Sequence, residues 1–329
     1  MYVYRTRVWR TVQRAGGSVN VDCQVRVFVV VPAYNEAENL EELVPEIWRF
    51  LQEVDPFGSI LIVDDGSADG TREVVEALMR ALPCVQTERL PRNLGKAAAL
   101  RKGFKIAVDE GASVVVMMDA DGQDDPSELR ELIAKVGPQA DLVSGARTKR
   151  QDRFVKRSTS RLFNRVTRIS SGIDATDFNS GFKAMSAPAA SEISSMLYGD
   201  LHRYISVIAS WLGYRVTEVP VHHRPRMHGT TKYGVSRFWR GLLDLLTVRF
   251  LMSYRYRPLH LFGGVGLVFL LIGGLALLYL SSLWLSGDSI GGRPLLIGGV
   301  LFVVVGFQLL LFGLLAEMIV YGQQQNRRD

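Results

Sequence analysis

Val27-Phe28-Val29-Val30-Val31-Pro32 is a continuous apolar run, rich in β-branched residues and closed by proline. A strand buried on both faces of a parallel sheet has this pattern. Helical spacing takes over after Asn35: Leu40, Leu43, Ile47, Phe50 and Leu51 recur on one face, and Glu36, Glu38, Glu41 and Glu42 crowd the N-terminal end, where the helix dipole favours acids. The alternation continues with a strand at Ile60 to Val63, a helix at Thr71 to Ala81, a short strand at Val85 to Glu88 and a helix at Lys96 to Glu110. A buried strand at Ser113 to Met118, a helix at Pro126 to Val136 and a strand at Asp141 to Ser144 complete it. Such a series predicts a doubly wound α/β sheet with helices on both faces.

Ligands of such sheets bind beyond the C-terminal ends of the strands. The segments there are polar and acidic: Pro32-Ala33-Tyr34-Asn35-Glu36, Asp64-Asp65-Gly66-Ser67, Asp119-Ala120-Asp121-Gly122-Gln123, and Gly145-Ala146-Arg147. Carboxylates gathered on one edge raise each other's pKa unless a cation or donor compensates. An Asp-x-Asp-x-Gln set of oxygens suits a hard divalent ion, Mg²⁺ or Mn²⁺, whose shell is completed by phosphates and water. A helix-capping role suffices for Asp124 or Asp125, but not for the whole set. No Gly-x-Gly-x-x-Gly follows the first strand, Gly95-Lys96 lacks the upstream glycine of a Walker loop, and no Gly-x-Ser-x-Gly stands at a strand end. Dinucleotide oxidoreductases, P-loop enzymes and serine hydrolases are excluded.

The averages conceal a second regime. The chain has 329 residues, 47% hydrophobic and 22% charged, with a net charge of +6, yet residues 258 to 321 carry only Asp288, Arg293 and Glu317 as formal charges. A stretch so poor in charge rules out a wholly soluble protein. Leu259 to Leu285 and Pro294 to Tyr321 are each long enough to cross a hydrocarbon core of about 30 Å, joined by the loop Ser286 to Arg293. Arg249, Arg255 and Arg257 precede the first span and Arg327 and Arg328 follow the second, against Arg293 in the loop, so both termini are expected in the cytoplasm. Glu317 lies near the end of the second span, within reach of the interface.

The expected organisation is a basic, poorly ordered arm over 1–25, a catalytic domain over 26–235, an amphipathic interfacial segment over 236–257 with Arg and Trp at helical spacing, two spans within 258–321, and a tail over 322–329. Positive charge concentrates in three districts, +4 over 1–26, +8 over 147–168 and +7 over 222–257. The middle one suits lipid phosphate and anionic headgroups rather than nucleic acid, because it follows Arg147 in a chain that carries membrane spans. Cys23 and Cys84 have no CxxC partner and read as small core hydrophobes. His222, His223 and His228 fit no common ligand spacing, and His202 and His260 are unassigned.

Taken in order, Pro32-Ala33-Tyr34-Asn35-Glu36, Val63 to Thr71, Asn93-Leu94-Gly95-Lys96 and Met118 to Gln123 resemble the motifs of family 2 inverting glycosyltransferases with the GT-A fold. Farther on, Asp177 to Lys183, Glu218-Val219-Pro220-Val221, Arg226 and Gly229 to Gly234 resemble the polyprenyl-phosphate sugar synthases, of the dolichol-phosphate mannose synthase and undecaprenyl-phosphate glucosyltransferase type. The resemblance implies that Pro32, Tyr34, Glu36, Val63 and Asp65 hold the base and ribose of a nucleotide sugar. Asp119, Ala120 and Asp121 would lie along the ribose and diphosphate, with Asp121 and Gln123 as ligands of Mg²⁺ or Mn²⁺. Arg147, Arg226 and Lys232 would contact the phosphates of donor or acceptor, and Arg147 and Arg157 the acceptor phosphate. The Gln-x-x-Arg-Trp motif of processive polysaccharide synthases is missing. The expected reaction moves one hexose, from a donor of the UDP-glucose or GDP-mannose type, to a polyprenyl phosphate with inversion; UDP-N-acetylglucosamine stays open as donor. The alternatives are transfer to a lipid or glycan hydroxyl, and a non-catalytic membrane scaffold with a sugar-nucleotide fold. Whether the chain forms an oligomer is open.

Overall fold

The computed structural model of the chain describes residues 13–14, 17–18, 26–137, 139–147, 177, 180–225 and 257–325. Residues 236–256 of the interfacial segment expected over 236–257, and the basic stretch 148–168, lie outside the described residues. The chain divides into two compact units, 1–248 and 249–329. Within the arm, β1 (Gln13–Arg14) pairs antiparallel with β2 (Gly17–Ser18). The other residues of the expected N-terminal arm, 1–12, 15–16 and 19–25, lie outside the described residues.

The first unit is built on a seven-stranded sheet. Its strands are β3 (Val27–Ala33), β4 (Ser59–Asp64), β5 (Val85–Arg89), β6 (Val114–Met117), β7 (Leu142–Arg147), β8 (Lys183–Ser186) and β9 (Val216–Val221), in the order β5-β4-β3-β6-β8-β7-β9. Helices α1 (Ala37–Val54), α2 (Thr71–Ala81), α3 (Lys96–Asp109), α4 (Leu129–Lys135), α5 (Ala187–Ser194) and α6 (Ile205–Trp211) connect them. Val27 to Val31 and Ile60 to Val63 are essentially inaccessible to solvent. Val27, Val29 and Val31 join one core with α1, α2 and α4, including Leu40, Leu43, Ile47, Val75 and Leu132. On the opposite face α3 packs so closely that Gly103 lies against Val30 and Val63. Helices thus cover both faces, as the continuous apolar strands predict.

The sheet is mixed rather than all parallel. β8 runs antiparallel between β6 and β7, with Lys183 opposite both Met117 and Ser144. Reversing this strand has a chemical consequence: its first residue, not its last, reaches the ligand edge. β7 extends to Arg147, so Gly145-Ala146-Arg147 forms the end of the strand, in register with Val219 to Val221 of β9. The expected helix from Pro126 begins as a 3-10 turn, Pro126–Glu128, and becomes α-helical at Leu129. Cys84 is half-buried against the core with a free thiol, as expected; Cys23 lies outside the described residues.

The second unit is a pair of helices, α7 (Pro258–Leu285) and α8 (Pro294–Gln325). A span of 28 residues is about 42 Å long at 1.5 Å per residue, enough to cross a bilayer core with tilt. Most of its apolar surface faces outward: Leu271 is 63% exposed, Leu278 68% and Ile297 75%. That distribution is unfavourable in water and suits lipid. The two helices meet through glycines: a Cβ on Gly266 would lie 2.8 Å from Gly306 O, and one on Gly273 2.7 Å from Gly299 O. Such backbone contact is how membrane helices gain van der Waals attraction without a hydrophobic driving force. Glu317 Oε2 accepts a hydrogen bond from Leu259 N at 3.2 Å, satisfying a donor at the start of α7. The acid that the sequence sends towards the interface therefore caps the neighbouring helix. Gly306→Leu is expected to destabilise the hairpin by about 1–3 kcal/mol, seen as a lowered thermal midpoint in detergent. Gly264→Leu, at a position with nothing within 4 Å, should leave that midpoint unchanged.

Candidate active site at the sheet edge

Loops from the ends of β3 and β4 are sewn together by short polar links. Asn35, in the left-handed region at φ 56°, donates its N–H to Ser67 Oγ at 2.9 Å and accepts Ala68 N on its side-chain oxygen at 2.9 Å. Glu36 N donates to Thr71 Oγ1 at 3.1 Å. Asp64 is buried, accepts Ser67 N at 2.8 Å and faces Arg89 at 3.4 Å. Asp65, also buried, accepts Leu94 N at 2.7 Å and Gly95 N at 2.9 Å, one bond to each carboxylate oxygen. It thereby fixes the turn that starts α3, and the next residue, Lys96, ion-pairs with Asp119 after β6.

These loops enclose an open cleft of about 200 Å³. Of the residues that the sequence singles out, Pro32, Tyr34, Glu36, Asp65, Asp119, Ala120 and Asp121 line it, together with Lys96. Tyr34 is 45% exposed and offers its ring to a ligand. Val63 does not line the cleft: its side chain is fully buried and turned towards α3. Gln123 is held by its backbone, with N bonded to Asp121 Oδ1 at 3.2 Å and O bonded to Arg224 N at 2.8 Å. Arg147 sits at the end of β7 with Nε 2.8 Å from Asp177 Oδ2, and Asp177 N donates to Glu218 Oε1 at 3.1 Å. Arg157, Arg226 and Lys232 lie outside the described residues.

Burial alone would raise the Asp119 pKa, but the Lys96 charge and hydrogen bond, then His202 and Arg147, hold it below the ordinary carboxylate range. Asp124 goes the other way. It is 5% exposed, and burial followed by the charges of Asp119 and Asp121 pushes it up to about 7. The capping role belongs to Asp125, whose Oδ1 accepts Ser127 N at 2.9 Å; Asp124 is a buried member of the acidic group instead. Lys183 is wholly buried and donates to Ser144 Oγ at 2.9 Å and Ser180 O at 2.7 Å. Burial pushes its pKa down to about 8 against the pull of Asp177, Glu218 and Asp124, with Arg147 acting in the same direction as burial.

Lys96, Lys183 and His202 are members of the site to which the sequence assigns no part, and Asp124 is one to which it assigns only a helix-capping role. Lys183 carried a signal, a lysine followed by Ala184 and Met185 in an otherwise apolar strand. Lys96 carried only its place in Asn93-Leu94-Gly95-Lys96. Gly181 makes the site compact: a Cβ there would lie 2.5 Å from Asp119 Oδ1.

A sheet of this topology with acidic strand ends and an open cleft at that edge is that of the GT-A class of α/β folds. Residues 28–194 match glycosyl transferase family 2. The chain is 32% identical over 318 residues to the dodecaprenyl-phosphate galacturonate synthase of Rhizobium johnstonii, covering 94% of this chain and 92% of that one. It is 32% identical over 299 residues to the undecaprenyl-phosphate 4-deoxy-4-formamido-L-arabinose transferase of Salmonella choleraesuis, covering 89% and 88%. Among solved structures, glucosyl-3-phosphoglycerate synthase from Mycobacterium tuberculosis, in complex with Mn²⁺, UDP and phosphoglyceric acid, superposes with a TM-score of 0.52 at 18% identity, over 68% of this chain and 78% of that one. A mannosyltransferase from Pyrobaculum calidifontis, solved with GDP-Man and Mn²⁺, does so with a TM-score of 0.50 at 23% identity, over 76% and 68%. The chain belongs to glycosyl transferase family 2.

Two measurements test this account of the edge. Gly181→Ala should displace the Asp119 carboxylate and lower sugar-transfer activity at least ten-fold, about 1.4 kcal/mol, with the far-ultraviolet circular dichroism unchanged. Lys183 has a folded pKa below its ordinary 10.5, so the unfolded chain binds the proton more tightly between about pH 8 and 10.5. The stability contributed by this group is present above pH 10.5 and is lost as pH falls to about 8. Denaturation of wild type against Lys183→Met across that window should show wild-type stability gaining up to about 1.4 kcal/mol per pH unit relative to the variant.

Proposed function

We propose that the protein transfers a single sugar from a nucleotide sugar to a polyprenyl phosphate at a membrane surface, with inversion at the anomeric carbon. The observation that carries this is the cleft itself: Tyr34, Asp65, Lys96, Asp119 and Asp121 line one pocket in a chain that ends in a lipid-facing hairpin. Relatives named for dodecaprenyl-phosphate and undecaprenyl-phosphate substrates align along 94% and 89% of the chain. The donor is taken to be of the UDP-glucose or GDP-mannose type; the sugars in those relatives' names, galacturonate and 4-deoxy-4-formamido-L-arabinose, widen the set to be tested.

A divalent cation, Mg²⁺ or Mn²⁺, fits the residues present. Oxygen donors dominate the loop after β6, and Asp119 and Asp121 both line the open cleft. Asp121 and Gln123 would hold the ion, and when bound it would neutralise charge developing on the leaving diphosphate. The protein's own groups supply the rest. Tyr34 and Asp65 bind and orient the nucleoside end, Lys96 keeps Asp119 ionised and in place, and Arg147, assisted by Arg226 and Lys232, draws in the second anion. A phosphate monoester is ionised near pH 7, with a second pKa of about 6, so the acceptor attacks without a dedicated base. Transfer to a hydroxyl would need a base on the cleft wall. Asp124, with a pKa near neutrality, is buried and does not line that wall.

The arginines flanking the two spans support a cytoplasmic catalytic domain with both termini on the same side. Membranes containing the protein are to be supplied with a panel of labelled nucleotide sugars, including uronate and amino-arabinose donors, and the lipid-phosphate fraction analysed. One donor should transfer its label, and Asp121→Ala should cut that transfer at least about 100-fold. Label appearing only in hydroxyl-linked lipid would overturn the acceptor assignment, and absence of nucleotide-sugar binding would leave the scaffold reading.

A further inference from the structure

Past Val221, the last rung of β9, three residues form a strap across the loop that follows β6. His222 N lies 2.9 and 3.2 Å from the two carboxylate oxygens of Glu128, and its Nδ1 is 2.6 Å from Oε1. His223 pairs with Asp124 as an antiparallel bridge. Arg224 N donates to Gln123 O at 2.8 Å. The Arg224 guanidinium then forks, with Nη1 and Nη2 on the two oxygens of Glu46 in α1 at 2.7 and 3.0 Å, and Nη2 also on Asp125 Oδ1 at 2.7 Å. Successive residues of one loop, Gln123, Asp124 and Asp125, are thereby each held by the same strap.

The chemistry of the fork is specific. A planar guanidinium meets a carboxylate through two parallel bonds and keeps donors for a second partner, which the point charge of lysine cannot reproduce. Glu46 projects from α1 and is absent from the cleft wall, so its pairing with Arg224 has no direct use in binding a nucleotide. Its effect is to press the strap onto the loop. Gln123 is fixed on both sides of its own Cα, through Asp121 on its N–H and Arg224 on its carbonyl.

We propose that Arg224 is a positioning residue for the divalent-ion site, acting through the backbone of Gln123 and anchored by Glu46 and Asp125. The proposal rests on the assignment of Asp121 and Gln123 as the ion's ligands. Residues that orient metal ligands from behind typically change affinity 10–100-fold when removed, whereas an exposed ion pair with only a structural part contributes little.

The test uses full-length protein in detergent micelles, with Mn²⁺ as the probe and whichever of UDP or GDP the wild type binds. Mn²⁺ binding is followed by electron paramagnetic resonance, and nucleotide binding is measured with and without Mn²⁺. Arg224→Ala should weaken Mn²⁺ binding about ten-fold or more while leaving metal-free nucleotide binding unchanged. Glu46→Gln, which keeps the helix and the volume, should reproduce the same split to a lesser extent, and Arg224→Lys should restore only part of the loss. Retention of wild-type Mn²⁺ affinity in Arg224→Ala, where Asp121→Ala abolishes it, would overturn the positioning role and leave the ligand assignment standing. Equal loss of metal-free and metal-dependent nucleotide binding would overturn it as well, because general loosening of the domain has that signature. If Asp121→Ala binds Mn²⁺ as wild type does, the ligand assignment fails and the proposal with it.

Discussion

Repulsion among carboxylates at one sheet edge is the constraint around which the catalytic unit is arranged. Asp64, Asp65, Asp119, Asp121 and Asp124 all follow strands that end on the same side of the sheet. Each needs a compensating donor or cation, or it is driven towards protonation. For three of them the compensation comes from a neighbouring segment. Asp64 is met by Arg89 from β5, Asp65 by the N–H groups that open α3, and Asp119 by Lys96. Asp124 has none of these direct pairings, and burial followed by the charges of Asp119 and Asp121 pushes its pKa up to about 7. A site with surplus negative charge in oxygen donors is suited to a divalent cation and to a substrate that arrives with one.

The reversed strand follows from the same constraint. Lys183 and Arg147 supply positive charge from the far half of the sheet, where Asp177 and Glu218 add further acids. A parallel β8 would carry its last residue, Ser186, to the ligand edge and take Lys183 to the opposite one. Running antiparallel between β6 and β7, it places a wholly buried ammonium beside Ser144 and Ser180 at the functional end. The desolvation cost of burying that charge is visible in its lowered pKa and is offset by hydrogen bonds and by the acids nearby.

This division explains what was legible in the sequence. β3, β4 and β6 declare themselves as unbroken apolar runs because both faces are covered, and the acidic residues after them are fixed by covalent adjacency alone. Seven of the residues chosen for the nucleotide line the cleft for that reason. Contacts between distant segments were not legible. β8 is four residues long and starts with a charge, so neither its direction nor its place between β6 and β7 can be read from periodicity. Val63 illustrates the limit within a strand: adjacency puts it next to Asp64, but the two-residue period of the strand turns its side chain to α3. Glu317 illustrates it in the hairpin, where position along a span suggests the interface and only the packing of α8 on α7 delivers the carboxylate to Leu259 N.

Asp65 connects the two ends of the cleft. Its carboxylate accepts the backbone N–H groups of Leu94 and Gly95, one on each oxygen, and each oxygen keeps a further lone pair. Those same bonds set where α3 begins, and α3 begins with Lys96, the partner of Asp119. A change at Asp65 therefore acts on the segment that keeps Asp119 ionised. The turn after β4 and the charge balance after β6 are not separate properties of two loops. They share one turn, Asn93 to Lys96, whose geometry is dictated by a single buried carboxylate.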